Sequence, residues 1–180
     1  MIEYALMGGF GPLSSTQLIA MNDLPYRLVR LEPGFDLSEL LADPDWDPRS
    51  MEGYRRHQKV LVSFIEYCFE KGWTVDLPVF SEDSGWDYGV DVFVNGKAVD
   101  LKSFPLREDA KSKTFDSPAY NGKGPHPKSL TDWLVFAPPG TSAEVWEAAP
   151  FKRMRKSFYN LPPFFWKRDV VSFSEFAASV

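Results

Sequence analysis

The dipeptide Asn95-Gly96 constrains this chain more than any other feature, because it stands between two β-rich runs, residues 88–94 and 97–103. A two-residue turn that needs positive φ at both central positions selects Asn-Gly strongly, so the pair predicts a tight β-hairpin. The turn also sets the register: Val94 faces Lys97, Phe93 faces Ala98, Val92 faces Val99, and Asp91 faces Asp100. Strand alternation then puts Gly89, Asp91 and Phe93 on one face with Ala98, Asp100 and Lys102, and puts Val90, Val92, Val94, Val99 and Leu101 on the other. The valine face is predicted to be core.

On the first face, two aspartates are expected opposite each other with Cβ atoms roughly 5 Å apart, a destabilising arrangement unless something neutralises it. A hard divalent cation would do so, since Mg²⁺ takes one or two carboxylates together with phosphate oxygens. Lys102 is expected two residues along, placed to hold a water or to meet charge building up at phosphorus. A plain salt-bridged surface patch is the competing reading.

Around this hairpin the pattern is that of an α/β chain with a mixed sheet. Leu61, Phe64, Ile65 and Cys68 recur at helical spacing, predicting a helix from Ser50 to Lys71 capped by Ser50 and ended by Gly72. Trp73, Val75 and Leu77 alternate as a first strand before a Ser/Asp/Gly loop at 81–85, and Trp133–Ala137 reads as a buried strand. A short helix is expected near 106–113, a strand at 143–148, a basic helix or loop at 151–159, and a closing segment from Val170 to Ala178. The first fifty residues are harder to read. They offer short helical turns at Thr16–Ala20 and, entered by Asp36, at Leu37–Leu41, then loop residues Pro44, Asp45, Asp47 and Pro48. We expect an N-terminal extension over 1–49 and one α/β domain over 50–180, within the usual size of a single core.

The helix ending Glu70-Lys-Gly-Trp73, then Asp87-Tyr-Gly-Val-Asp91, a gap of eight, and Asp100-Leu-Lys102 resemble the PD-(D/E)XK nuclease superfamily. The resemblance spans roughly residues 50–138 and implies a restriction-endonuclease-like core: helix, three strands, helix or loop, strand. It further implies a Mg²⁺- or Mn²⁺-dependent (endo)deoxyribonuclease, with endonuclease and exonuclease action both open. Asp91 and Asp100 would hold the metal, the Leu101 carbonyl would complete the site, Lys102 would assist the attacking water, and Asp87 would be an auxiliary acid. Gly89 would leave room for the phosphate. Many relatives supply a glutamate from the first helix, whereas Glu52, Glu66 and Glu70 here lie opposite the apolar stripe. Gln58 and His57 flank that stripe instead, Gln58 as a neutral stand-in and His57 as a metal ligand or a hydrogen-bonded boundary residue. A degenerate nucleic-acid- or protein-binding module of the same fold is the alternative, and an acidic interaction protein a third.

The formal charge of −5 argues against a polyanionic partner only until it is divided along the chain. Residues 1–50 carry −5 and residues 105–180 carry +3. Lys152, Arg153, Arg155, Lys156, Lys167 and Arg168 fall in a 17-residue stretch without an acid, interleaved with Phe158, Tyr159, Phe164, Phe165 and Trp166. With Lys111, Lys113, Lys123 and Lys128 they are expected to bind the backbone of DNA, with RNA an open alternative. A solvated basic face is the competing reading, and His126 reads as a loop residue. The one cysteine, Cys68, sits among apolar residues and points to a reducing, cytoplasmic setting. No membrane span or signal peptide is expected, and a homodimer is compatible with the chain.

Overall fold

The computed structural model describes residues 26–41, 48–80, 89–116, 129–156 and 161–180. Within them the chain forms strands β1 (Tyr26–Leu31), β2 (Val75–Phe80), β3 (Val92–Val94), β4 (Lys97–Lys102), β5 (Arg107–Glu108), β6 (Ser112–Thr114), β7 (Trp133–Phe136), β8 (Glu147–Pro150), β9 (Phe164–Trp166) and β10 (Val171–Ser172). Two α-helices accompany them, α1 (Pro48–Glu70) and α2 (Phe173–Ala177). The architecture is mixed α/β. Among the described residues, seven strands form one sheet in the order β1-β2-β3-β4-β7-β8-β10, and β5-β6-β9 form a second. The β4–β7 pair is parallel and its neighbours in the large sheet are antiparallel, so the sheet is mixed.

Helix α1 starts at Pro48 rather than Ser50, and a proline is well suited to a first helical turn, where its missing N–H has no partner to lose. The stripe Val60, Leu61, Phe64, Ile65 and Cys68 is buried against Val75, Val92, Val94, Val99, Leu101 and Val135 of the sheet, while Glu52, Glu66 and Glu70 are exposed. Gly72, at φ 70°, ends the helix: its N–H reaches the Phe69 carbonyl at 3.0 Å and that of Trp73 reaches Cys68 at 2.9 Å. These two bonds are the pairing of a Schellman stop, which requires a left-handed residue at this position. Burial also pushes the Cys68 thiol up to about 12, so it stays an unreactive core residue.

The other face of the sheet carries a second core. Leu134, Phe136 and Ala149 pack there with Phe115 and Phe165 of the small-sheet region and with Leu106, Phe151 and Met154. The chain is therefore layered as helices, large sheet, small sheet.

The hairpin forms in the expected register, Val94 with Lys97, Phe93 with Ala98 and Val92 with Val99, and Asn95 (φ 46°) and Gly96 (φ 81°) both take the positive φ the turn requires. Several expectations are corrected. Strand β3 is three residues long and not seven, because Gly89 turns the chain at φ 61°. No helix forms at 106–113; the segment folds back as β5 and β6, where β9 supplies the pairing edge. Residues 143–145 form a 3-10 turn ahead of β8, and 151–153 a second one. The boundary at 49 lies inside the packed unit, since β1 pairs along its whole length with β2 and Leu31 and Leu40 join the main core. Asp36 does enter a 3-10 turn, Leu37–Leu41, accepting the Ser38 N–H at 3.0 Å. The turn expected at Thr16–Ala20 lies outside the described residues. Among them, no helix is long and apolar enough to cross a membrane.

Candidate active site

Asp91 does not stand opposite Asp100. Its N–H donates to the carbonyl of Val99 at 2.9 Å, although Val99 is already the partner of Val92, so two residues of one strand share one position on the other. An extra residue of this kind bends the strand and redirects its side chain. The face assignment of the preceding residues shifts with it: Val90 packs with Tyr26, Phe93 and Ala98 on the face away from α1, whereas simple alternation puts it with Val92. Gly89 correspondingly leaves the strand and does not face Lys102. Its carbonyl accepts the Thr131 hydroxyl at 2.7 Å, which ties the start of the hairpin to the segment entering β7.

The displaced Asp91 carboxylate takes up two partners. One oxygen accepts the backbone N–H of Leu101 at 2.7 Å, and the other lies 3.1 Å from Nε2 of His57 on α1. Because β3 ends at Val92, the Leu101 N–H has passed the last residue of the ladder, and the side chain of Asp91 supplies the acceptor in place of a backbone carbonyl. Within β4, the Leu101 C=O and N–H point to the same edge, so that carbonyl also faces the Asp91 side. His57 belongs to the inward stripe of α1, one turn before Leu61. It is a hydrogen-bonded histidine at the rim of the core.

Asp100 and Lys102 project from the other face of β4, beside Leu134 and Phe136 of β7. Their ion pair closes at 2.7 Å with the Asp100 side chain only 4% exposed, so the lysine offsets a carboxylate that water scarcely reaches. Burial works to raise the Asp91 carboxyl, but the His57 charge and hydrogen bond, Lys102 and the Leu101 N–H together hold it below its ordinary value. The Asp91 carboxylate in turn raises His57, with Asp100 adding to that effect and burial and Lys102 opposing it. The four side chains thus form one electrostatic unit of two acids and two bases.

Gln58 follows His57 on α1, three residues before Leu61 and seven before Ile65. Its side-chain oxygen is buried without a hydrogen-bond partner among the described residues. A buried carbonyl oxygen left unpaired is costly and marks a place where a cation or an ordered water would be accommodated. Among the described residues, no three side chains from His, Cys, Asp and Glu converge as a ready metal cage. The oxygen donors these residues offer are the Asp91 and Asp100 carboxylates, the Leu101 carbonyl and the unpaired amide oxygen of Gln58.

The other sequence-predicted residues lie apart from this unit. Lys111, Lys152, Arg153, Arg155, Lys156 and Arg168 are exposed, Lys113 is ion-paired with Glu147, and Lys167 with Glu108 at 2.5 Å. Asp87, Lys123, His126, Lys128, Phe158 and Tyr159 lie outside the described residues. Two residues not anticipated from sequence are Thr131 and Asp132. The Asp132 carboxylate accepts the Ala98 N–H at 2.9 Å and its own N–H donates to the Ala98 carbonyl at 2.8 Å. Only their place just before the WLVFA run could have drawn attention to them.

No protein-family model, curated protein sequence or solved structure matches the chain.

Proposed function

We propose that the chain is a metal-dependent nuclease of the PD-(D/E)XK kind, cleaving phosphodiester bonds in DNA at the unit formed by Asp91, Asp100 and Lys102. The observation that carries the reading is the buried Asp100–Lys102 pair on β4, with the Asp91 carboxylate bound to the backbone N–H of Leu101, the residue between them. The order of elements supports it too: helix α1, the three strands β2, β3 and β4, a crossover, and β7 beside β4. The crossover carries the β5–β6 hairpin where the family has a helix or loop, and the restriction-endonuclease-like core is part of the proposal.

Mg²⁺ or Mn²⁺, held by Asp91, Asp100 and the Leu101 carbonyl with Gln58 alongside, would polarise a phosphate oxygen and sharpen a bound water as a nucleophile. Lys102 would position that water and stabilise negative charge building up at phosphorus. His57 would orient Asp91. The basic side chains from Lys152 to Arg168, with Lys111 and Lys113, would hold the DNA backbone. One buried cysteine fits an intracellular setting.

A second reading is favoured by one observation. Both oxygens of Asp91 have protein partners and Lys102 pairs with Asp100, so each carboxylate is already engaged within the protein, as in a binding module that has lost turnover. Calorimetric titration with Mn²⁺ separates the two. The nuclease reading requires uptake that disappears in Asp91→Asn, and absence of uptake by the wild-type chain leaves the binding module.

A further inference from the structure

The small sheet sorts its side chains by register into two faces. One row, Glu108, Lys113 and Phe165, runs from the exposed edge, where Glu108 pairs with Lys167, to the core, where Phe165 is fully buried and Lys113 reaches Glu147. The next row runs Arg107, Thr114, Phe164 and Arg155, because Arg107 pairs with Thr114, Thr114 with Phe164, and Phe164 with Arg155. Directly paired residues project to the same side of a sheet, so this row places one hydroxyl and one aromatic side chain, Thr114 and Phe164, between two arginines on the outer face. Ser112 and Trp166 form the row on the far side of Lys113 and Phe165, and by alternation they share the outer face with Thr114 and Phe164.

On that face Trp166 is 38% and Leu161 56% exposed. With Ser112, Thr114, Pro162 and Phe164 they line an open groove. The rings of Phe164 and Trp166 meet edge to face at 5.2 Å. Arg107 is paired with Asp116, whereas among the described residues Arg155 has no acidic partner, and Lys111, Lys156 and Arg168 add exposed positive charge in the same segments.

We infer that this outer face is a binding platform for single-stranded nucleic acid, with a base stacked on Trp166 and the flanking phosphate drawn to Arg155. Charge complementarity selects the occupant: an exposed apolar floor between cations matches the alternation of flat base and anionic phosphate in an unpaired strand, while the bases of a duplex are turned inward and cannot reach the floor. The two rings are perpendicular to each other, so a single stacked base is assigned and not a run. Arg107 follows Lys102 by five residues, so the platform begins on β5, the next strand after the one that carries Asp100 and Lys102. The inference rests on the reading of the chain as a nucleic-acid enzyme, and it specifies the unpaired strand as substrate.

The test is fluorescence anisotropy of the full chain in EDTA, with a labelled oligothymidine of about ten nucleotides, a duplex of the same length, and oligoglutamate as competitor. The expected result is tighter binding of the single strand than of the duplex. Trp166→Thr, which keeps a strand-forming residue, weakens it about tenfold, and Trp166→Phe retains most of it. Equal binding of duplex, equal loss in both Trp166 variants, or displacement by oligoglutamate at matched charge overturns the inference. The two readings fail separately: Mg²⁺-dependent cleavage with oligothymidine binding indifferent to Trp166→Thr overturns the platform alone, and Trp166-dependent binding without cleavage overturns the nuclease alone.

Discussion

The Asp91 carboxylate accepts the Leu101 backbone N–H at 2.7 Å, taking the place that the next residue of β3 would fill if the strand continued. An acid expected to face its partner across a regular ladder is instead part of the ladder's end. Asp91→Ala leaves a buried N–H without an acceptor, which costs about 1–3 kcal/mol. Asp91→Asn keeps an oxygen in place and costs less. Urea unfolding of the metal-free chain should rank the two variants in that order.

Stability of the metal-free chain should depend on pH through the His57–Asp91 contact. His57 is raised from 6.5, so its contribution is complete below that value and is lost as pH rises through the folded pKa. Asp91 is lowered from 3.8, so its contribution is complete above that value and is lost as pH falls through the folded one. Both hold between 3.8 and 6.5. Thermal unfolding across pH should therefore show a plateau in this window and a decline on the alkaline side, and His57→Gln should flatten that decline.

Breaking the Asp100–Lys102 pair from one side should be worse than removing it altogether. Lys102→Met strands a carboxylate that is 4% exposed, at a cost of about 3–5 kcal/mol, while the double variant Asp100→Asn with Lys102→Met removes both charges and recovers part of the loss. A double-mutant cycle by denaturant unfolding measures the coupling. Additive losses would show that the two side chains are independent.

Gly72 holds φ 70° with no atom within 4 Å of where a Cβ would lie, so Gly72→Ala adds no clash and reports backbone strain alone. A loss of about 1 kcal/mol is expected, measured by the same unfolding experiment.

The hairpin, α1 and β7 were legible because each is specified locally: by Asn95-Gly96, by a 3.6-residue stripe ending in Gly72, and by a continuous apolar run. The position of Asp91 was not. Its displacement depends on the turn at Gly89 and on two partners, His57 and Leu101, of which His57 is 34 residues away. The small sheet was illegible for a related reason. Its strands are two or three residues long, and β6 becomes a strand only when β9, some fifty residues later, supplies an edge. The same holds for β1, whose pairing with β2 brings a segment read as an extension into the core. The charged residues of the candidate site draw attention by their types and spacing, while the face each one occupies is decided by the strand ending early.

The most direct measurement is cleavage of plasmid and linear DNA by the purified chain in Mg²⁺ and in Mn²⁺, beside Asp100→Asn and Lys102→Met variants confirmed as folded by circular dichroism. Metal-dependent cleavage by the wild-type chain is expected, abolished by EDTA and lost in both variants. Cleavage that persists in folded Asp100→Asn, or a wild-type chain that cleaves nothing in either metal, would contradict it.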